Sequence, residues 1–135
     1  MEKITGSCLC GSVSISAEPD VKMVINCHCT DCQNVTGSVF GTMVFVAEES
    51  VEVIGDLNAF EHQADSGNTL TKMFCPKCGS QVMGKNTGRK GVVGLRAGVL
   101  DQKDLIKPGA NIFCESAVPT TAMDSNLKSF PKMPG

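Results

Sequence analysis

Cys75-Pro76-Lys77-Cys78-Gly79 stands between two strand-like runs, Thr69 to Phe74 before it and Gln81-Val82-Met83 after it. The stretch reads as a metal knuckle. A tight turn aims both sulfurs at one point, and Gly79 permits the backbone twist that turns amide N–H groups toward the thiolates. Zinc in a closed structural site takes four such ligands. A knuckle supplies two, so its partners lie elsewhere in the chain.

The other cysteines narrow the choice. Cys8-Leu9-Cys10-Gly11 is a CxC, Cys27-His28-Cys29-Thr30-Asp31-Cys32 is a CxCxxC, and Cys114 stands alone. In extended backbone, residues i and i+2 face the same way, so each CxC presents two sulfurs together, and His28 turns to the opposite face. Two pairs and a triplet suggest one four-sulfur site and one three-sulfur site. Joining Cys29 and Cys32 to Cys75 and Cys78 would make a ribbon-like site, but the intervening stretch far exceeds the roughly 15–20 residues of that pattern. It would also strand Cys27. Pairing Cys8 and Cys10 with Cys75 and Cys78 leaves the triplet whole, and is preferred. The triplet then holds a second zinc with three protein ligands and one open position, as catalytic zinc does. Disulfides and an iron–sulfur cluster fit less well. Eight cysteines in 135 residues, about 6%, fall below the level of disulfide scaffolds, and no ferredoxin spacing is present.

Around these groups the pattern is that of strands. Ser12 to Ser16, Val21 to Ile25, Val39 to Val46, Ser50 to Ile54, Gly91 to Leu100 and Ala110 to Cys114 join the two runs beside the knuckle. Helix signals are confined to Thr30 to Thr36, with Thr30 or Asp31 as cap, and to Asp101 to Leu105, stopped by Pro108-Gly109. Gly84 to Gly91 (GKNTGRKG) reads as a solvated turn. The expected fold is mainly β, with twisted antiparallel sheets around a structural zinc and short helical turns. Residues 1–135 form one zinc-binding domain, and 116–135, with Pro119, Pro131 and Pro134, run as an extended C-terminal tail.

Composition removes several functions. All six aromatics are Phe, the net charge is −2 and the pI is about 5.6. A nucleic-acid binder needs stacking platforms and a positive surface, so none is expected. No apolar run reaches the roughly 18 residues of a membrane span, and Met1 to Thr5 shows no secretory core, so a cytoplasmic protein is expected. In that reducing setting clustered cysteines favour metal. Filled zinc sites would deepen the negative charge, leaving Lys22, Lys72, Lys77, Lys85, Arg89, Lys90 and Arg96 as counterweights, with none singled out. Cys114 reads as a core residue and His62 as a solvated one.

The three cysteine motifs carry a resemblance. Gly6-Ser7-Cys8-Leu9-Cys10-Gly11-Ser12-Val13, Cys27 to Cys32 followed by Thr36-Gly37-Ser38, and Phe74-Cys75-Pro76-Lys77-Cys78-Gly79-Ser80, in that order, resemble the glutathione-dependent formaldehyde-activating enzyme family, which includes the centromere protein V group. The likeness runs on through Val99-Leu100-Asp101 and Asn111-Ile112-Phe113. It departs at Asn111, where relatives often show His, and at Thr120-Thr121, where they carry a large aromatic. It implies the β-tent fold, a structural zinc on Cys8, Cys10, Cys75 and Cys78, and a catalytic zinc on Cys27, Cys29 and Cys32. It also implies a carbon–sulfur lyase that joins glutathione to formaldehyde as S-hydroxymethylglutathione. Two zinc ions per chain and a small-molecule thiol partner follow from it, with the second ion, on three ligands, the more easily lost. The same residues would also serve a non-catalytic thiol-binding or interaction module if Cys114 or Asp31 sealed the open position, or a redox switch that releases zinc on oxidation.

Overall fold

The computed structural model describes residues 2–133. The readings that fall on Met1, Pro134 and Gly135 lie outside them. The described chain is mainly β. Its strands are β1 (Ile4–Ser7), β2 (Ser14–Ala17), β3 (Met23–Cys27), β4 (Gly41–Ala47), β5 (Glu52–Ile54), β6 (Asn58–Gln63), β7 (Thr69–Phe74), β8 (Gln81–Asn86), β9 (Val92–Arg96), β10 (Ala110–Ile112) and β11 (Lys128–Ser129). One α-helix, α1 (Thr30–Thr36), follows β3, and the remaining helical pieces are short 3-10 turns.

The strands form two sheets. A small sheet runs β1-β2-β5, and a large one runs β11-β10-β3-β4-β9-β8-β7-β6. All pairings are antiparallel except those of β10, which lies parallel to β3 and to β11. Parallel neighbours need a long crossover. Here β10 arrives far down the chain, after Pro108 and Gly109, and the Gly109 amide donates to the Val24 carbonyl at 2.9 Å to start the ladder.

Period-two alternation gives the large sheet two different faces. Val44 and Val46 on β4 and Val93 and Leu95 on β9 turn toward the small sheet, where Ile4, Ile15 and Ala17 complete the main core. Ile25, Cys27 and Phe45 belong to a second, smaller cluster with Cys32 and Ile112. In the register, Met43 pairs with Arg96 and Cys27 with Gly41. Arg96, one residue beyond Leu95, is therefore on the face that carries Cys27.

Several local expectations shift. β6 went unread because NAFEHQ mixes Ala59 and Phe60 with polar residues and shows no apolar period; it is an exposed edge strand, where its charge and polarity discourage pairing with other chains. β8 runs through Asn86, so Gly84 to Asn86 are strand and the turn begins at Thr87. The Ala110 run ends at Ile112, because Phe113 takes a left-handed φ of 56° and tips the chain into a 3-10 turn. Cys114 is thus half-buried in that turn and not a core strand residue, with its sulfur 3.5 Å from the Asn111 carbonyl. No helix among the described residues is long and apolar enough to cross a membrane.

Candidate metal centres and the cleft between them

Cys8, Cys10, Cys75 and Cys78 come together, their sulfurs all within 4.8 Å of one another. The Cys8–Cys10 and Cys10–Cys75 sulfur separations are 3.7 and 3.8 Å. Four sulfurs on a tetrahedron with bonds of about 2.3 Å are about 3.8 Å apart, so the donor set fits zinc. The pairing preferred from spacing is the one the fold makes, and the ribbon-like alternative is not.

Two turns build this cluster. Cys8 to Ser12 is the turn between β1 and β2, not an extended segment as the CxC suggested. In it the Val13 amide donates to the Cys8 sulfur at 3.3 Å, and in the knuckle the Lys77 amide donates to Cys75 at 3.4 Å. Gly11 and Gly79 close the two turns with φ of 80° and 78°, where a Cβ would be strained. Two hydroxyls that the sequence left without a role complete the surroundings. Ser12 Oγ lies 3.1 Å from Cys10 and 3.3 Å from Cys75, and Ser80 Oγ lies 3.2 Å from Cys78 while accepting from the Leu9 amide at 3.0 Å. Hydrogen bonds from the Ser80 hydroxyl and amide hold the Cys78 thiol down to about 5. Both serines follow their cysteine by two residues, a spacing the sequence did show.

Cys27, Cys29 and Cys32 form a second cluster on the same criterion, and neither Asp31 nor Cys114 joins it. Cys27 ends β3, Cys29 caps α1 and Cys32 lies in its first turn. The cap is Cys29 itself, not Thr30 or Asp31: its sulfur accepts from the Cys32 amide at 3.3 Å. A thiolate there meets the exposed N–H groups of the helix end, the role an Asp or Ser usually fills. Gln33 fastens the helix, donating to the carbonyls of His28 and Ser116, each at 3.0 Å. The three thiols are tightly coupled. Hydrogen bonds from Cys27 and Cys29, helped by the charge of Arg96, hold Cys32 down to about 3, and Cys27 is correspondingly pushed up by its bonds to Cys29 and Cys32. Three clustered sulfurs, those of Cys27 and Cys32 buried and that of Cys29 half-buried, with one already inclined to ionise, suit a soft divalent metal.

The fold selects among the basic residues that the sequence could not rank. Arg96 is 7% exposed and sits beside the triplet. Gly41 makes room for it: a Cβ there would lie 2.7 Å from Arg96 Nη1, 3.4 Å from Thr36 Cγ2 and 3.7 Å from Cys32 Cβ. Lys72 is also 7% exposed, its pKa lowered by desolvation against the raising effect of the Cys32 charge. His62 bonds Lys72 Nζ at 2.7 Å and is half-buried, so it is not the solvated residue expected. Arg89 lies over the Phe45 ring at 4.8 Å. His28 is 1% exposed against Phe40, with neither ring nitrogen hydrogen-bonded.

A cleft of about 540 Å³ opens between α1 and the knuckle, lined by Thr36, Phe40, Gly41, Ser80, Gln81 and Arg96 among others. Its size is that of a small-molecule site, about 300–1,000 Å³.

The comparisons with known proteins agree with this architecture. A crystal structure of a Rhodobacter sphaeroides protein superposes with a TM-score of 0.59 at 17% identity, covering 77% of this chain and 96% of the other, a likeness of fold. No curated protein matches the chain. The family model described as glutathione-dependent formaldehyde-activating enzyme matches residues 3–116. That span takes in both cysteine clusters and every strand but β11, and the chain therefore belongs to the glutathione-dependent formaldehyde-activating enzyme family.

Proposed function

We propose that the protein is a zinc-dependent carbon–sulfur lyase that joins a low-molecular-weight thiol to an aldehyde, with glutathione and formaldehyde as the substrate pair. The observation that carries this reading is the contrast between the clusters: four sulfurs in one, and three in the other with no further Cys, His, Asp or Glu joining among the described residues. Cys8, Cys10, Cys75 and Cys78 hold a structural ion in a β-tent fold. Cys27, Cys29 and Cys32 would hold a second, with no fourth protein ligand beside them among the described residues. The description of the matching family supports glutathione as the thiol and formaldehyde as the aldehyde. Residues 1–135 act as one zinc-binding domain in the cytoplasm, with 116–135 as its C-terminal tail.

The reaction asks little of the chain beyond placement and charge. As the thiol adds, its S–H bond breaks, a C–S bond forms to the carbonyl carbon, and a proton ends on the former carbonyl oxygen. Bound zinc supplies thiol deprotonation at neutral pH. Three thiolate ligands temper its Lewis acidity, which suits thiol delivery better than water activation. Arg96 offsets the negative charge concentrated on the triplet. The burial of Cys27 and Cys32 keeps that pairing in a medium of low dielectric, where it is stronger than in water.

The test is exchange NMR on free glutathione, formaldehyde and their adduct, against a control without protein because the uncatalysed addition is itself fast. The protein should speed exchange, Cys27→Ser, Cys29→Ser and Cys32→Ser should abolish the gain, and Cys114→Ser should leave it. Thiol binding without acceleration would make the chain a thiol-binding module. No thiol binding with zinc confirmed at the triplet would overturn the reading.

A further inference from the structure

Arg96 is a buried charge with donors to spare. Its Nε and Nη1 have no hydrogen-bond partner, and it takes part in none of the four ion pairs among the described residues. A guanidinium carries five N–H donors in a rigid fork suited to a carboxylate. Burying such a group without an anion is costly. The Cys32 thiolate answers part of the charge, yet a sulfur that ligates a metal commits its electrons there, and the three N–H donors on Nε and Nη1 remain.

Those donors belong to a residue that lines the 540 Å³ cleft. Gln81 lines it too, and its Oε1 is also buried without a partner, an acceptor facing no donor. Phe40, Val35 and Ile106 add apolar wall. A donor fork, a lone acceptor and apolar surface together complement a carboxylate with a nearby N–H, as at the end of a peptide. The distances at Gly41 decide the rest. The guanidinium and the Cys32 side chain both crowd the same missing Cβ, at 2.7 and 3.7 Å. The triplet cysteines do not themselves line the cleft, but Gly41 and Arg96 do, and the Cys32 side chain lies directly behind Gly41, so the two sites are neighbours on the scale of one small molecule.

We propose that this cleft binds the carboxylate-bearing part of the thiol substrate, with Arg96 as the specificity-determining residue and Gln81 accepting an N–H beside it. The protein then selects anionic, peptide-like thiols over neutral ones. This rests on the triplet being the thiol site.

The test separates the two. Zinc-loaded protein is titrated by calorimetry with glutathione and with its diamide, in which both carboxylates are neutral amides, while the Nε–Hε resonance of Arg96 is followed by NMR. The diamide should bind roughly ten- to a hundredfold more weakly, the range of one charge-assisted hydrogen bond, and only glutathione should move the Arg96 resonance. Arg96→Gln should lower the affinity for glutathione to that for the diamide, with the diamide unaffected. If that variant fails to retain zinc, Arg96→Lys keeps the charge beside Cys32 but lacks the fork, and should lose most of the preference. Equal affinity for acid and diamide, a silent Arg96 resonance, or an undiminished preference in a zinc-loaded Arg96 variant overturns the proposal while thiol binding at the triplet stands. Failure of both thiols to bind removes the underlying reading instead.

Discussion

Cys29 does two jobs, and substitution can separate them. Its sulfur is a donor of the triplet and also the acceptor that caps α1. Cys29→Ser replaces a soft ligand but keeps a capping oxygen, so the fold should persist while one zinc equivalent is lost. Cys29→Ala removes both, and should cost a further 0.5–2 kcal/mol or so of stability. Zinc content and denaturant unfolding of the two variants check this; equal stability would deny Cys29 its cap. Lys72 gives a pH signature. Desolvation lowers its pKa in the folded chain below the ordinary 10.5, so in the window between the two values the unfolded chain binds more protons. Stability should therefore rise as pH increases toward 10.5, and Lys72→Met should flatten that rise. Melting temperature against pH for the two proteins reads the slope.

At the scale of elements, the two knuckle turns act as a clasp. The Cys8–Cys10 turn belongs to the small sheet and the Cys75–Cys78 turn to the large one. A metal between them joins sheets that also meet through the apolar core, the bridge from Gly6 to Leu100, the Leu9–Ser80 hydrogen bond and the bonds of Thr5 to Asp101 and Gln102. Its binding energy becomes folding energy. Cys75→Ser or Cys78→Ser should largely unfold the chain, seen as loss of its β circular dichroism. The triplet spans only the end of β3 and the first turn of α1, so it closes a short loop and ties little together. A Cys75→Ser protein that stays folded without that metal would undo this division.

Across the whole molecule the two centres should therefore part at different cost. Titration with a strong chelator should release zinc in two phases. The first, from three ligands beside an open cleft, should leave circular dichroism unchanged. The second, from four ligands closed by Ser12, Ser80 and the turn amides, should coincide with unfolding. Simultaneous release with loss of structure would mean that the triplet also carries the fold. The triplet sits with the smaller cluster on the minor face of the sheet, away from the core that holds the molecule together.

Much of this was legible in the residues themselves. Ligand spacing is a local property, so Cys75-Pro76-Lys77-Cys78-Gly79 and Cys27 to Cys32 declared their chemistry in sequence, and the alternation of Ser12 to Ser16 with the β-branched apolar run Val39 to Val46 gave the β character. The α1 span was visible from the polar run Thr30 to Thr36, although its cap was not, because a cysteine read as a ligand also does the capping. β6 was not, since a polar edge strand has no buried face to impose a period. The parallel pairing of β10 with β3 was not, because nothing local specifies a partner some eighty residues away. Nor could the sequence choose Arg96 from seven basic residues. Its role depends on one register, Met43 opposite Arg96 and Cys27 opposite Gly41, and on the absence of a side chain at Gly41. Charge type is written in the chain, whereas burial, and with it the strength of a charge, exists only once the sheets have paired.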